Sequence, residues 1–571
     1  MTLKKASCWL ISAYLLVIVT TGTFAGALWR IDPHHDGFTY LPAKFAEIGI
    51  FPPGGAGSNY GIAQAVFEGA ILNFIPDYFI FYRLIAAILI LISGFLIFRI
   101  ISLESQKLQS ALFTLVWLFA NPTWQNSINI VPQSIQAVWP NLWIQTLTLF
   151  ALYLTNKNIL NNKVNFITLG IILATLPFIR IQGAISTVFL LILIKIKTKK
   201  LKLLIVIYFC TTIFWLSLIT VSGGIEKYYQ DIFLKPINGL ADFSSFEYFF
   251  NFGKSLLNYY VVITSVSILF FLILLKITSA KKIVSKLHIL FVITILAVAT
   301  SRNPEIWPSI FVAKSNSLVL DLAFVSSILY AFLQRNMILK VFKNNGNNNQ
   351  KNLLVLALFS IFNHINLFPL PDEGHKWWSS AITLIFLAKL IEKLRRNAIW
   401  KTYKFVKFVN IAILTSLIIT SINVIFFLKI DRISIFNEQN SRFNYIQYPV
   451  IDSEMVKTFE LTTEILSVIE TSGDKINFVC REPLYYLSHD YISSSANKAF
   501  DFLNKPYRIN SNYEVNFFCN TQYQEVINLE NQKYFIIGSK SPNLIVFGNK
   551  HAVYFKELIE KYSEKLHNNT Q

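Results

Sequence analysis

The sequence predicts a polytopic α-helical membrane protein of about 13 transmembrane helices, followed by a small C-terminal α/β domain outside the membrane. Three observations carry this. The 571 residues are 54% hydrophobic and 15% charged, whereas an ordinary soluble domain is about a quarter charged. Apolar stretches of spanning length recur along most of the chain. The loops between them alternate in charge, and the formal net charge of +19 falls almost wholly in one alternate set.

The apolar segments are centred near residues 18, 90, 115, 145, 170, 188, 212, 268, 294, 325, 359, 384 and 417. The first, "CWLISAYLLVIVTTGTFAGALW", follows Lys4 and Lys5. It is long for the apolar core of a signal peptide, and no small-residue cleavage site follows it, so an uncleaved anchor is expected. With the N-terminus inside, one set of loops contains "KIKTKKLK", "KITSAKKIVSK", "LQRNMILKVFKNNGNNNQK" and "EKLRRNAIWKTYK". It is rich in Lys and Arg and nearly free of acid beyond Glu104 and Glu392. The other set holds Asp32, Asp36, Glu47, Glu68, Asp77, Glu226, Asp231, Asp242, Glu247, Glu305, Asp372 and Glu373. That is the positive-inside asymmetry. It accounts for the net charge without nucleic acid, which is not an expected partner.

The module through residue 428 therefore spans the membrane, and residues 429–571 lie outside it. There the chain turns polar. "KINFVC", "KYFIIG" and "NLIVF" read as short buried strands, and "SEMVKTFELTTEILSVIE" and "AVYFKELIEKYSEKL" as amphipathic helices. Cys8 and Cys210 fall inside spans and read as packing residues. Cys480 and Cys519 fall in the outer domain, where oxidation is permitted. They are candidates for a disulfide, with two unpaired buried thiols as the alternative.

The topology collects titratable groups on the outer face. The first outer loop, 29–78, opens with Asp32, His34, His35 and Asp36, and apolar periodicity at 38–50 and 62–75 predicts short interfacial helices. "FPPGGAG" between them is a turn or loop. Arg180 ends the fifth span. "SRNPEIWP" brings Arg302 and Glu305, and "FPLPDEGHKWW" brings Asp372, Glu373, His375 and Lys376. Each has a plain structural reading as well: interfacial charge, a snorkelling arginine, or an anchor in an aromatic belt. Asp-x-x-x-Asp with adjacent histidines also fits a divalent cation, but oxygen-rich sites usually gather more carboxylates; no metal ligand set and no cofactor is assigned. The chain has no P-loop, GxGxxG, metalloprotease His pair or Gly-x-Ser-x-Gly elbow. Its cytoplasmic loops are too short for a nucleotide-binding domain, which moves any chemistry outside or within the membrane.

"HHDGFTYLPAKFAEIGIFPPGGAGSNYG" resembles the first outer loop of the GT-C superfamily of integral-membrane glycosyltransferases: His-Asp-Gly, a Pro, a Gly closing a short helix, then Tyr60-Gly61 before a second. "PLPDEGHKWWSS" is similar to a Pro-x-Pro-Asp…His-x-Trp-Trp segment of bacterial members. The likeness in plan runs to about residue 430. It implies a sugar donor on a polyprenyl phosphate, a glycan, lipid or protein acceptor, transfer at the extracytoplasmic face and inversion at the anomeric carbon. Asp36 is the best match for the family's general base, with Asp32 second. His34, His35, Arg180, Arg302, His375 and Lys376 are then candidates for holding donor and lipid phosphate. Tyr60, Glu305, Asp372, Glu373 and Trp377 are candidates for the acceptor pocket. Two departures stand out. Gly37, not a second acid, follows Asp36, which weakens a metal-dependent version. "IFPPGGAGSN" replaces the usual spacer and Arg-Asp, which leaves acceptor details open.

The rival class is a multi-span flippase or transporter of lipid-linked glycans. It predicts two similar halves and charge within the spans, and neither is evident in the sequence. A ligase or polymerase of the O-antigen type would need a large, late outer loop with an Arg/His cluster, and the loop at 223–258 has none. Few glycosylation sequons occur, Asn568 being one, which points to a bacterial inner membrane.

Overall fold

The computed structural model describes residues 3–27, 35–54, 60–75, 79–122, 138–156, 162–198, 201–234, 307–336, 348–364 and 373–396. It also describes separate positions between 413 and 425 and four strands between 476 and 547. The chain divides into two compact units. The first is Met1–Gly26, Ala86–Trp215 and Leu240–Ile430; the second is Ala27–Ile85, Leu216–Gly239 and Asp431–Gln571.

Nearly all described residues are helical. In chain order the helices are α1 (Leu3–Ala27), α2 (His35–Glu47), α3 (Ile62–Leu72), α4 (Phe79–Ser102), α5 (Lys107–Phe119), α6 (Pro140–Leu154) and α7 (Lys163–Ile179). They continue as α8 (Gly183–Lys197), α9 (Leu201–Ser222), α10 (Ile225–Tyr229), α11 (Trp307–Leu333), α12 (Asn348–Asn363) and α13 (Glu373–Arg396). A π-helical turn at Gln230–Leu234 follows α10. Among the described residues, three helices carry stretches long and apolar enough to cross a membrane: Leu10–Ala27, Phe81–Ser102 and Leu201–Ser222. The segments expected near residues 115, 145, 170, 188, 325, 359 and 384 coincide with α5–α8 and α11–α13. Those expected near 268 and 294 lie outside the described residues.

Local sequence explains the element ends. Pro140 opens α6, where its fixed φ suits a helix and its missing N–H costs nothing. Asn162 caps α7 by accepting from the Val164 amide at 2.9 Å. Gly183 starts α8 where a Cβ would run into the Leu176 carbonyl, so the α7–α8 hairpin turns tightly. Lys195 and Lys197 close α8, favourable both for the helix dipole and for a basic membrane face.

In the first unit α12 packs on α8, α11 and α13, α13 also meets α5 and α6, and α6, α7 and α8 pack together. Lipid cannot drive such association through the hydrophobic effect, so close packing and interhelical hydrogen bonds carry it. Ser327 of α11 donates to Ser360 of α12 at 3.0 Å, and Ser360 lies 2.7 Å from Thr383 of α13. Ser93 of α4 bonds Thr146 of α6 at 2.8 Å, and the Trp215 indole N–H of α9 donates to Thr175 of α7 at 3.1 Å. The bundle has two distinct ends. At one, Glu104 pairs with Lys389, Lys197 donates to Thr155 at 3.4 Å and Lys393 lies over the Tyr330 ring. These are the ends that run into the basic loops. At the other are Arg180, Asn141, Asn363 and His375.

Along α9, Leu203, Ile205, Val206, Phe209, Ile213 and Phe214 are exposed, as suits a surface facing hydrocarbon. Cys210 shares that exposure. The expectation that Cys210 is a packing residue is therefore corrected: α9 lies at the rim of its bundle. The side chain of Cys8 lies outside the described residues.

In the second unit α2 and α3 pack closely against each other. A Cβ on Gly69 would stand 2.7 Å from the Ala46 backbone, so the crossing needs glycine there. Gly69→Ala is expected to destabilise the protein by about 1–3 kcal/mol, the scale of overpacking, read as a lowered melting temperature in detergent; unchanged stability would contradict so close a crossing.

The four strands form one sheet in the order β1 (Ile476–Val479), β2 (Val515–Phe518), β3 (Tyr534–Ile536) and β4 (Ile545–Phe547). The first two pairings are parallel and the last antiparallel. Three strands are those expected from sequence. β2, in "NYEVNFFCN", was not anticipated. The two expected amphipathic helices lie outside the described residues.

Candidate functional site

His35 and Asp36 are the first two residues of α2, at the start of the interfacial helix expected there. A carboxylate in the first turn of a helix sits where the helix dipole favours negative charge. Asp32, His34, Arg302, Glu305, Asp372, Cys480 and Cys519 lie outside the described residues. Glu373 opens α13. Tyr60 is half-buried just before Gly61, whose extended backbone leads into α3.

Below α2, in the same unit, the carboxylate of Glu68 is completely buried. One oxygen accepts from Gln64 Nε2 at 2.8 Å and the other from the Tyr82 hydroxyl at 2.8 Å. The Tyr82 ring packs on Tyr40 with centroids 4.7 Å apart. This polar core ties α3 to the start of α4 and to α2. The signal in the sequence was a lone acid inside the apolar run "IAQAVFEGAIL".

In the first unit Arg180 follows directly on α7 in extended conformation. Its Nη1 donates to Asn141 Oδ1 at 2.9 Å. His375 lies in the first turn of α13, its ring edge-on to Trp378 at 5.1 Å between centroids. Asn141 and Trp378 both line one pocket, with Gln145, Thr148, Ser186 and Asn363. Its interior has room for about one water molecule. Arg180 and His375 each therefore touch a wall of the same pocket, although their segments are far apart in sequence. The pocket lies at the end of the bundle opposite the basic loops.

Lys376 and Trp377 point elsewhere. Lys376 is buried and pairs with Asp321 of α11 at 2.7 Å. An ion pair in a low-dielectric interior needs this proximity to offset the cost of desolvating both charges. Trp377 is fully buried and stacks on Trp117 of α5 with centroids 4.8 Å apart. Its indole N–H donates to the Trp117 carbonyl at 2.8 Å. One pairs with a buried carboxylate, and the other joins α13 to α5. Neither Asp321 nor the polar face of α6 was singled out in the sequence. Both left a signal there, a lone acid in "SNSLVLDLAFV" and polar residues at i, i+4 and i+7 (Asn141, Gln145, Thr148) in an otherwise apolar helix.

Among the described residues no group of three or more His, Cys, Asp and Glu side chains is placed to hold a metal ion. Comparison of the chain with family models, with curated proteins and with solved structures finds no match.

Proposed function

We propose that the chain is a membrane glycosyltransferase. It moves a sugar from a polyprenyl phosphate to an acceptor hydroxyl at the extracytoplasmic face, with inversion. The observation that carries the reading is the pocket whose walls are touched by Arg180 through Asn141 and by His375 through Trp378. It lies at the bundle end away from the basic loops, which the positive-inside bias assigns to the outer surface. The chemistry needs one base and one cation. The acceptor oxygen bonds to the anomeric carbon as Asp36 takes its proton. The bond from that carbon to the phosphate oxygen breaks, and Arg180, whose planar fork matches phosphate oxygens, stabilises the departing charge.

Membranes containing the protein, supplied with radiolabelled polyprenyl-phosphate sugars, are expected to pass label to an endogenous acceptor, and control membranes are not. Lipid scrambling by the purified protein without sugar transfer would favour the flippase instead.

The outer placement of the C-terminal sheet belongs to the same proposal. Cys480 and Cys519 fall in that domain, where oxidation is permitted, and a disulfide between them is proposed for protein from the native membrane, read as a linked peptide by mass spectrometry without reduction. Two free thiols would count against an oxidising location.

A further inference from the structure

The end of the first unit that runs into the basic loops gathers more positive charge than its carboxylates answer. Lys389 of α13 pairs with Glu104, which follows α4. Lys197, the last residue of α8, lies within electrostatic reach of both. Among the described residues its amine donates to the Thr155 hydroxyl at the end of α6, at 3.4 Å, and forms no ion pair. Lys393 comes one turn after Lys389, on the same face of α13. Its amine lies 5.8 Å from the centroid of the Tyr330 ring of α11 and 3.5 Å from the hydroxyl of that ring. Lys197 and Lys393 therefore meet neutral hydroxyls, and the Glu104 carboxylate is engaged by Lys389. Glu392, in the same turn of α13, is buried, 3% exposed.

The positive-inside bias alone does not ask for this arrangement. It asks for lysines in water, and Lys195 answers it. Lys195 is exposed and stands two turns after Val188, which is 53% exposed, on the outer side of α8. Lys197 is two positions further, about 200° round the helix. It is half-buried and turned towards α6 and α13. Lys389 and Lys393 are half-buried as well. Ammonium groups held this close repel one another, and an anion set between them reverses the sign of that interaction. The helix ends lie at headgroup depth, where lysine stems follow apolar surface and the amines reach the phosphate level. The cytoplasmic leaflet supplies an anion there, anchored by its own acyl chains. Val188 marks an apolar flank along which such chains can run.

We propose that Lys197, Lys389 and Lys393 form a binding site for the phosphodiester headgroup of an anionic phospholipid of the inner leaflet. The Thr155 and Tyr330 hydroxyls are placed beside it as further donors, and a bound headgroup ties α8 to α13. The site stands apart from the transfer reading. It lies at the bundle end opposite Arg180 and uses no residue assigned to the chemistry.

The test is equilibrium binding of a fluorescent short-chain phosphatidylglycerol to the purified full-length chain in a non-ionic detergent. The competitors are unlabelled phosphatidylglycerol, phosphatidylcholine and inorganic phosphate. Phosphatidylglycerol is expected to displace the probe at a concentration lower than phosphatidylcholine by about tenfold or more. Millimolar inorganic phosphate is expected to leave the probe in place. Lys197→Gln with Lys393→Gln keeps the pair of Glu104 and Lys389, and is expected to weaken probe binding about tenfold or more. Lys163→Gln with Lys195→Gln removes the same charge from exposed positions at the same end, and is expected to change binding by less than about twofold. Lys197→Arg with Lys393→Arg keeps the charges and is expected to bind within about threefold of wild type. Equal losses in the two glutamine variants would reduce the site to general attraction between a basic face and an anionic lipid, and would overturn the proposal. So would wild-type binding without preference over phosphatidylcholine, unchanged binding in the Lys197 and Lys393 glutamine variant, or loss of binding in the arginine variant. Displacement by inorganic phosphate at the concentration that suffices for the lipid would assign the site to free phosphate and overturn the lipid.

Discussion

Asp36→Asn is expected to leave folding, membrane insertion and donor binding intact and to slow sugar transfer by more than about a hundredfold. The magnitude is that of removing a positioned general base. Asparagine keeps the size and shape of the side chain and its place in the first turn of α2, so the helix start is little disturbed. What it loses is the capacity to take a proton from the acceptor hydroxyl, a poor nucleophile without that help. The measurement is the initial rate of label transfer in membranes with matched protein levels, alongside binding of a short-chain prenyl-phosphate sugar to the purified protein. Near-normal turnover would remove Asp36 from the mechanism. A loss of protein from the membrane would instead make it a structural residue.

The second large effect concerns stability. Asp321 and Lys376 form an ion pair 2.7 Å long in the interior of the first unit, their side chains 2% and 6% exposed. Removing one partner takes the ion pair from a charge that stays buried in the bundle. Asp321→Leu alone, or Lys376→Met alone, is expected to cost about 3–5 kcal/mol, seen as poor recovery from detergent and a much lower melting temperature. The double variant leaves no stranded charge and is expected to recover most of that loss. The same variants separate two roles for Lys376. If it holds the donor phosphate, the double variant regains stability but not transfer. If it serves the fold, as its partner indicates, both return together.

Much of the helical plan could be read from the chain because hydropathy and charge act locally. Apolar runs marked the positions of α4 to α9 and α11 to α13, and periodicity within the first outer loop marked α2 and α3 to within a few residues. Charge sidedness sorted the loops, and the contacts of Glu104 with Lys389 and of Arg180 with Asn141 fall at opposite bundle ends, as alternation requires. What the chain concealed depends on which faces meet. Trp377 and His375 stand two residues apart in one motif, yet one packs against Trp117 while the other packs on a pocket residue. The helical rotation between neighbouring positions is visible in sequence, but the identity of the facing helix is not. Asp321 and Lys376 are 55 residues apart, and no local pattern links them.

The central claim is that the chemistry gathers at one face of the membrane, with Asp36, Arg180 and His375 on the same side. Single cysteines beside each of them, Gly37→Cys, Ile181→Cys and Gly374→Cys, test this by labelling with a membrane-impermeant maleimide in spheroplasts. Wild type serves as background and Asn156→Cys as the inner control. All three are predicted to label in intact spheroplasts, and Asn156→Cys to label after lysis alone. Labelling of Gly37→Cys from one side and of Ile181→Cys or Gly374→Cys from the other would contradict the account.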